Sequence, residues 1–336
     1  MTANGVKPGQ DAPIILTPGD PAGIGGELTI RTHKAGIGGF FTINDPAYLA
    51  ATARQMECDI DIREFASPAD YDPDSTALQV LSITWAEQPV AGEPTIANAP
   101  QIIDAIARGA GWAQSGECAA MVTNPIAKAP LLEAGFSHPG HTEFLGSLAP
   151  PRKGAPMMML AANDFRVVPI TVHIPLSAVA PRLNSEMIVD AGRLLSQSLT
   201  KFFDIAAPRI AVCGLNPHAG EQGRMGHEDD AIIAPAIAQL QGEKINAFGP
   251  LPADTLFHSE ARKTYDAVLG MYHDQVLIPL KTVDFFGGVN VTLGLDFIRT
   301  SPDHGTGFDI AGKGIARPDS VIAALKMASR MARKKI

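Results

Sequence analysis

Three histidines occupy equivalent places in the sequence, each shortly after an apolar run typical of a buried β-strand. They are His173 after "VVPIT", His218 after "RIAVCG" and His273 after "AVLGMY". In open α/β sheets, ligands bind where the carboxyl ends of the strands meet, because the loops there converge on a crevice. Three neutral imidazoles in such a crevice can bind a divalent metal ion and leave one coordination position open. The alternative is that they are unrelated polar residues, each satisfied locally.

A second set of residues has the chemistry of anion binding. The run "GHTEFLG" places His141 and Thr142 at a predicted helix start, where backbone N–H groups and the helix dipole favour an anion. Lys281, Asn290 and Arg299 follow near the ends of later apolar runs. Lysine supplies charge, and the arginine fork binds a carboxylate or phosphate at two points. Taken singly, each is also consistent with a surface or salt-bridge position.

The glycine-rich stretches near the amino terminus lack the dinucleotide-binding fingerprint G-x-G-x-x-G. In "GDPAGIGGEL" the position three beyond Gly25 is Leu28, and "GIGGFF" fails in the same way at Phe41. A Rossmann nucleotide site is therefore not supported. Near the carboxyl terminus, the run "SPDHGTGFDIAGKGIARP" has small residues that let the backbone approach a ligand closely. His304 and Asp309 in this run offer polar contacts to an adenosine-like group.

Predicted strands alternate with predicted helices along the whole chain. "PIILT", "RIAVCG" and "GVNVTLGL" are typical of strands, and residues 97–115 have helical spacing of apolar residues. A long helix is predicted from "NSEMIVDAGRLLSQSLTKFF", with its cap at Asn184 or Ser185. This alternation predicts an α/β protein with a largely parallel or mixed sheet. A high density of Pro and Gly predicts a domain boundary between 124 and 155.

The composition sets limits on the partners of the chain. Its 336 residues suffice for two ordinary domains, and 46% hydrophobic with 18% charged residues is typical of a globular protein. The net charge of −8 argues against nucleic-acid binding, which needs clustered Lys and Arg, but permits a small anionic substrate. Cys58, Cys118 and Cys213 lie far apart, as in a reducing cytosol. No apolar run reaches the ~18 residues of a membrane span, so we expect a cytoplasmic protein without a membrane partner.

Eight sequence motifs resemble those of the 4-hydroxythreonine-4-phosphate dehydrogenase family, metal-dependent and NAD(P)-dependent enzymes of pyridoxal 5′-phosphate biosynthesis. The motifs run in order from residue 17 to 316 and so cover nearly the whole chain. The last motif also resembles the "HGSAPDIAGKGIANP" loop of isocitrate and isopropylmalate dehydrogenases, which bind nicotinamide cofactors without a Rossmann fingerprint. The motifs are "TPGDPAGIG", "GFSHPGHTEFLG", "VHIPLSAV", "NPHAGEQGRMGHED", "GPLPADTLF", "YHDQVLIPLK", "GVNVTLGL" and "IRTSPDHGTGFDIAGKGIA".

The resemblance implies an architecture of two α/β/α domains, like that of isocitrate and isopropylmalate dehydrogenases, with the active site in the cleft between them. We predict a first domain of residues 1–135 with 285–336, and a second domain of residues 136–284. The resemblance also implies a homodimer with shared active sites, in which His273 enters the site from the partner subunit.

The resemblance further implies a role for each candidate residue. The three histidines become the ligands of one divalent ion, which is Zn, Mg or Co. The substrate-binding residues become His141, Thr142, Lys281, Asn290 and Arg299. His304 and Asp309 are candidates for binding NAD or NADP, by analogy with the isocitrate dehydrogenase loop. Asp254 and Asp274 are candidates for the proton acceptor; alternatively, each is a carboxylate that orients a histidine or a neighbouring loop.

The implied reaction oxidises 4-phosphohydroxy-L-threonine at its C3 hydroxyl to a 3-keto acid, which decarboxylates to 3-amino-2-oxopropyl phosphate. A bound ion would let the hydroxyl proton leave near neutral pH, so that hydride can pass to the nicotinamide, and would stabilise the enolate. Lys281 and Arg299 would hold the anionic ends of the substrate. Three alternatives stay open: another substrate, such as a phosphorylated threonate or erythronate or a dihydrodiol acid; a metal-dependent lyase or hydrolase without nicotinamide; and a non-catalytic metal-binding protein.

The chain departs from the family pattern at a few positions. Two of them, Val276 and Gly307, are expected to lie close to the cleft, where they bear on substrate preference. The departures are Gly26, Ala127, Val276, Asp296 and Gly307.

Overall fold

The computed structural model describes residues 12–138, 140–149 and 155–333. The strands in chain order are β1 Ile14–Thr17, β2 Phe40–Asn44, β3 Ile62–Phe65, β4 Leu78–Ser82, β5 Ala120–Thr123, β6 Met157–Ala162, β7 Phe165–Thr171, β8 Arg209–Cys213, β9 Asn246–Leu251, β10 Ala267–Tyr272, β11 Val289–Leu293 and β12 Arg299–Pro302.

The α-helices alternate with these strands for most of the chain. They are α1 Gly25–Lys34, α2 Pro46–Gln55, α3 Ala99–Ser115, α4 Lys128–Glu133, α5 His141–Leu148, α6 Val179–Arg182, α7 Ser185–Phe203, α8 Ala234–Gly242, α9 Ala253–Leu256, α10 His273–Val283 and α11 Asp319–Arg333. A π-helical segment, Asp229–Ile233, leads directly into α8.

The chain divides into two compact units. Unit 1 contains the described residues up to 149 together with residues 295–333, and unit 2 contains residues 155–294. The predicted boundary segment "APPRKGAP" falls mostly outside the described residues, because 150–154 are not among them. The predicted domain limits after 135 and after 284 do not coincide with these unit boundaries and stay predictions.

Unit 1 is built on a parallel sheet with the strand order β3-β4-β2-β1-β5-β12. Its central strand β1, with the sequence "IILT", is buried along its whole length, as expected for a parallel strand covered on both faces. The long helix α3 buries one stripe of small and apolar residues, including Ile102, Ile106 and Ala110. The carboxyl ends of β1, β5 and β12 therefore lie side by side at one edge.

Unit 2 is built on a mixed sheet with the order β11-β6-β7-β10-β8-β9. β6 pairs antiparallel with both β11 and β7. The remaining pairs, β7 with β10, β10 with β8 and β8 with β9, are parallel. The predicted helix cap is confirmed, because the side chain of Asn184 accepts a hydrogen bond from the backbone N–H of Met187 at 3.0 Å. The carboxyl ends of β7, β10 and β8 share one edge, which carries the histidines.

The prediction of a mixed α/β protein is confirmed. The implied likeness to isocitrate and isopropylmalate dehydrogenases, and an active site in a cleft between domains, stay predictions. Within residues 12–138, 140–149 and 155–333, no helix combines the length and the apolar character needed to cross a bilayer.

Candidate active site

The three histidines follow three neighbouring strands of unit 2. His173 lies two residues beyond β7, His273 is the first residue of α10 after β10, and His218 lies in the loop after β8. The ring centroids of His173 and His273 are 5.7 Å apart. Two imidazoles that bind one ion at about 2 Å have ring centres roughly 5–6 Å apart. This pair therefore has a spacing that fits a shared ion.

His218 is not assembled with this pair within one chain. Among the described residues, no group of three or more His, Cys, Asp and Glu side chains is arranged to hold a metal ion. His218 is exposed and has a left-handed backbone, with φ 55°. The whole loop is anchored by Asp229, a buried carboxylate that sequence reasoning did not select.

The two candidate proton acceptors lie at the same edge of unit 2. Asp274 follows His273, and its Oδ1 lies 2.7 Å from His273 Nδ1. A carboxylate can only accept this hydrogen bond, so Nδ1 donates and Nε2 stays available for a ligand. This arrangement is common for metal-binding histidines and favours an orienting role for Asp274. Asp254 is exposed on the short helix α9, directly after β9.

Lys281 and Asn290 lie away from the histidine edge of their own chain. Lys281 is more than two turns along α10 from His273, and its Nζ lies 5.5 Å from the ring centroid of Phe285. The register of the sheet aligns Asn290 of β11, across β6 and β7, with Val268 of β10. Five residues of strand, or roughly 16 Å, separate that row from His273. The Oδ1 atom of Asn290 is buried and has no hydrogen-bond partner in the described part of the chain.

Unit 1 brings together a different part of the predicted set. His141 and Thr142 begin α5, as predicted, with Gly140 as the preceding cap. The His141 Nε2 atom is buried without a partner among the described residues. Burial, followed by the charges of Arg299 and Lys128, holds the pKa of His141 well below its usual range. The ring is therefore neutral at pH 7 and sits beside two cations.

Arg299 supplies the buried charge of this group. It belongs to β12, is 3% exposed, and donates a hydrogen bond from Nη2 to the Thr123 hydroxyl at 2.6 Å. Burial lowers the pKa of Arg299 to about 10, which leaves the guanidinium charged at neutral pH. Lys128 lies against Gly140, where its Nζ is 3.7 Å from the position that a Cβ would occupy. Two positive charges at the start of α5 make a site suited to an anion.

The candidate cofactor loop of unit 1 follows β12. His304 and Asp309 are both exposed in it, as a cofactor contact requires. His304 Nδ1 lies 3.0 Å from the carbonyl oxygen of Gly305 and donates a hydrogen bond to it. A Cβ on Gly305 would meet nothing within 4 Å, which leaves open space beside the loop.

The base of this loop rests on the glycine-rich turn that fails the dinucleotide fingerprint. The Ile24 N–H donates to the Thr306 carbonyl at 3.0 Å. The buried Glu27 of α1 accepts a hydrogen bond from the Gly312 N–H at 2.7 Å. Gln55 of α2 donates to the Gly312 carbonyl at 2.8 Å. Hydrogen bonds from the turn after β1, from α1 and from α2 therefore hold the cofactor loop in place.

The two departures expected near the cleft differ in their surroundings. Val276 is fully buried in the core of unit 2, and a Cβ on Gly270 would lie 2.2 Å from its Cγ1. Val276 therefore affects packing within unit 2. Gly307 has φ +60°, and a Cβ there would lie 3.0 Å from Ile24 Cδ1. Glycine suits that left-handed, crowded position.

Comparison with known proteins relates the whole chain to one family. The family model described as "Pyridoxal phosphate biosynthetic protein PdxA" matches residues 39–328. A 4-hydroxythreonine-4-phosphate dehydrogenase from Caulobacter vibrioides is 50% identical over 332 residues, which cover 96% of this chain and 98% of the relative. The prediction of family membership is therefore confirmed.

Solved structures agree with this relationship. A crystal structure of 4-hydroxythreonine-4-phosphate dehydrogenase from Klebsiella pneumoniae has a TM-score of 0.89 and 34% identity, and the match covers 98% of this chain and 100% of that chain. A terephthalate 1,2-cis-dihydrodiol dehydrogenase from Burkholderia xenovorans has a TM-score of 0.65 and 25% identity over 95% of this chain and 98% of that chain. The chain thus belongs to the PdxA family of pyridoxal phosphate biosynthetic proteins and, like its relatives, is an oxidoreductase.

Proposed function

We propose that the chain oxidises 4-phosphohydroxy-L-threonine at its C3 hydroxyl with NAD or NADP, and that the resulting 3-keto acid loses CO₂ to give 3-amino-2-oxopropyl phosphate. One observation carries the proposal: near-full-length similarity to relatives that bear the name of this activity. The structure supports it through a buried cationic group in unit 1 and through three histidines that follow neighbouring strands of unit 2.

The substrate's anionic ends would bind where positive charge is already fixed. Arg299 and Lys128, at the start of α5, would hold the phosphate or the carboxylate, and the neutral His141 would add a hydrogen bond from its ring. Thr142, Lys281 and Asn290 complete the proposed substrate contacts. Fixed donors of this kind orient the C3 hydrogen towards the cofactor without a reorganisation cost during the reaction.

His173, His218 and His273 are the proposed ligands of one divalent ion, which is Zn, Mg or Co. The hydrogen bond between His273 Nδ1 and Asp274 supports this role, because it leaves His273 Nε2 available for a ligand. When bound, such an ion acidifies a hydroxyl group and stabilises an enolate. Asp274 then acts as the orienting carboxylate, and Asp254 is the proposed proton acceptor.

The nicotinamide cofactor, NAD or NADP, would bind along the loop after β12. His304 and Asp309 are exposed there, and Gly305 leaves the backbone open to a ligand. When bound, the nicotinamide accepts the hydride from C3. The chain's own contribution is to hold the loop in place from α1 and α2, through Glu27 and Gln55.

We also propose a homodimer with shared active sites, in which His273 serves the site of the partner subunit. Large apolar side chains are exposed on α10 and just after it, close in sequence to His273: Ile278 is 63% exposed and Phe285 is 66% exposed. Val283 and Phe286 are also exposed. An apolar surface of this kind next to a candidate ligand is suited to burial against a second copy.

One observation favours a second candidate, the oxidation of a cyclic dihydrodiol acid. It is the likeness to the terephthalate dihydrodiol dehydrogenase, which has 25% identity. The two candidates differ in the need for a phosphate site, since a dihydrodiol acid carries no phosphate group.

The test follows reduced nicotinamide by its absorbance while the purified protein is offered 4-phosphohydroxy-L-threonine, a phosphorylated threonate or erythronate, and a terephthalate dihydrodiol, each with NAD and with NADP. We expect reduction with the first substrate, release of CO₂, loss of activity with a chelator, and recovery with a divalent ion. Turnover of the dihydrodiol alone would support the second candidate. Conversion of a substrate without any cofactor reduction would support a lyase instead.

A further inference from the structure

The loop that carries His218 folds around one buried carboxylate, that of Asp229. This side chain is 0% exposed. Its Oδ1 accepts a hydrogen bond from the Leu215 N–H at 2.9 Å, and its Oδ2 accepts from the Asn216 N–H at 3.2 Å and from Asn216 Nδ2 at 2.9 Å. Both oxygens are therefore committed to the two residues that lead into His218.

The carboxylate is also in close contact with the rest of the loop. A Cβ on Gly214 would lie 2.6 Å from Asp229 Oδ1, and a Cβ on Gly220 would lie 3.2 Å from Asp229 Oδ2. The loop therefore closes tightly around this one side chain before and after His218. A second brace acts on the first residue of the loop, because Gln275 of α10 donates to the Gly214 carbonyl at 2.7 Å.

The conformation that this carboxylate maintains is one that the loop would not adopt alone. His218, Ala219, Glu221 and Gln222 all have left-handed backbones, with φ between 43° and 58°. Residues with a Cβ disfavour this region, so such a run persists only where its surroundings impose it. Asp229 itself opens the π-helical segment, a feature often found at functional sites.

We propose that Asp229 is the positioning residue for His218: its carboxylate fixes residues 214–216 so that the imidazole is held where a divalent ion binds. This inference rests on the proposed function, in which His218 is a metal ligand. Asp229 does not touch the ion and acts through the backbone of the loop. Asp229 contributes by fixing the position of the His218 imidazole, and not by its negative charge alone.

Two substitutions separate placement from charge. Asp229→Asn puts an NH₂ group opposite a backbone or side-chain donor, so at least one hydrogen bond is lost. Asp229→Glu keeps the charge but moves it by one methylene group. For both variants we expect the Kd for Zn²⁺, measured by competition with a chromophoric chelator, to rise about 10–100-fold. A visible spectrum of bound Co²⁺ should change in parallel.

Asp266→Asn is the matched control. Asp266 accepts hydrogen bonds from the backbone and side chain of Arg209, at the opposite end of β8. This variant should lose thermal stability but bind Zn²⁺ within about twofold of the parent protein. All Kd values are measured at a temperature at which circular dichroism shows each variant to be folded, and either Asp229 variant suffices if the other fails to fold.

His218→Ala separates this inference from the proposed function. If His218→Ala leaves the Kd for Zn²⁺ unchanged, the proposed metal site is wrong. If His218→Ala weakens binding but Asp229→Asn and Asp229→Glu do not, the positioning role is wrong. In a His218→Ala background, Asp229→Asn should have no further effect, because the residue it positions is gone. If Asp229→Asn weakens Zn²⁺ binding equally with and without His218, Asp229 has a general structural role and the inference is overturned. A wild-type Kd for Zn²⁺ in Asp229→Glu would also overturn it.

Discussion

The chemistry of the unit 1 anion site depends on which of its side chains are charged. Arg299 stays cationic at neutral pH, and His141 stays neutral because burial and the charges of Arg299 and Lys128 oppose its protonation. A neutral imidazole can offer one donor and one acceptor, whereas an imidazolium would add a third positive charge. The site therefore combines fixed charge with an uncharged group that can follow the substrate's hydrogen-bonding pattern.

The neutral state of His141 gives a prediction for stability. Its pKa is lowered well below 6.5 in the folded protein, so the unfolded chain binds a proton in a pH range where the folded protein does not. The free energy of unfolding must therefore fall as the pH drops below about 6.5, by at most about 1.4 kcal/mol per pH unit. His141→Gln should make this slope shallower in urea unfolding measured from about pH 5 to 7.

The free energy of unfolding of His141→Gln should still depend on pH to some extent, because burial and Lys34 also lower the pKa of His33. His33→Gln should remove that part, and the double variant should be flatter than either single variant. An unchanged slope in His141→Gln would mean that His141 is protonated equally in both states.

The geometry of Arg299 gives a second prediction at this scale. Arg299→Lys keeps the charge but loses the planar fork, one arm of which is held by the Thr123 hydroxyl at 2.6 Å. We expect the KM for the phosphorylated substrate to rise roughly 10–100-fold, which is about 1.4–2.7 kcal/mol of lost binding, with a smaller effect on the KM for the cofactor. Arg209→Lys, at the ion pair with Asp266, is the matched control and should change neither KM. An unaltered substrate KM in Arg299→Lys would exclude a two-point contact.

Among the structural elements, α1 and α2 act as supports for the cofactor loop. The hydrogen bond from the Gly312 N–H to Glu27 joins residues that are far apart in sequence, and Glu27 is only 2% exposed. Glu27→Ala should raise the KM for NAD or NADP about tenfold and leave the KM for the phosphorylated substrate within about twofold, since one hydrogen bond to a carboxylate is worth about 1.5–3 kcal/mol. Steady-state kinetics with each substrate varied in turn measures both values.

Glu64→Ala is the matched control for that experiment. Glu64 is also a carboxylate of unit 1, and it hydrogen-bonds Ser82 at the surface. Its replacement should change neither KM. Equal increases for both substrates in Glu27→Ala would indicate a general loss of structure in unit 1.

Elements whose signal is local were predictable from the sequence. The apolar stripe of α3 and the Asn184 cap of α7 each depend on residues within a few positions of one another. Helix α10 was not predicted, because Pro279 and the continuous apolar run "VLIPL" hide its helical period. The strands β3, β4 and β9 were also missed, since their burial patterns are broken or they follow turn-rich sequence.

The supporting residues of the candidate site had no local signal. Asp229 stands in "HEDDAII", a sequence typical of the exposed first turn of a helix, yet its side chain is fully buried. Its partners lie 13 and 14 residues earlier, and the partner of Gln275 lies 61 residues earlier. Pairings of this kind depend on which strands become neighbours in the sheet, and that information is not contained in the spacing of residues along the chain.

At the scale of the whole molecule, the proposed metal site can be completed by a second copy of the chain. Among the described residues of one chain, no three candidate ligands come together, and the exposed Ile278 and Phe285 lie on and just beyond the same helix that begins with His273. Burying these apolar side chains in a dimer would bring His273 to the interface. This geometry can be tested without a structure of the dimer.

Mixing two inactive variants distinguishes a shared site from a site within one chain. His218→Ala and His273→Ala should each be inactive alone. After the two proteins are unfolded together and refolded, half of the dimers contain one copy of each variant. If His273 serves the partner's site, one of the two sites in such a heterodimer has every ligand, so the mixture should recover about a quarter of wild-type activity. If all three ligands come from one chain, every site lacks a histidine and the mixture stays inactive. A mixture of His173→Ala and His218→Ala identifies the histidine that crosses between subunits. It stays inactive if His273 crosses, and it recovers about a quarter of wild-type activity if His218 crosses and His173 and His273 of one chain bind the same ion.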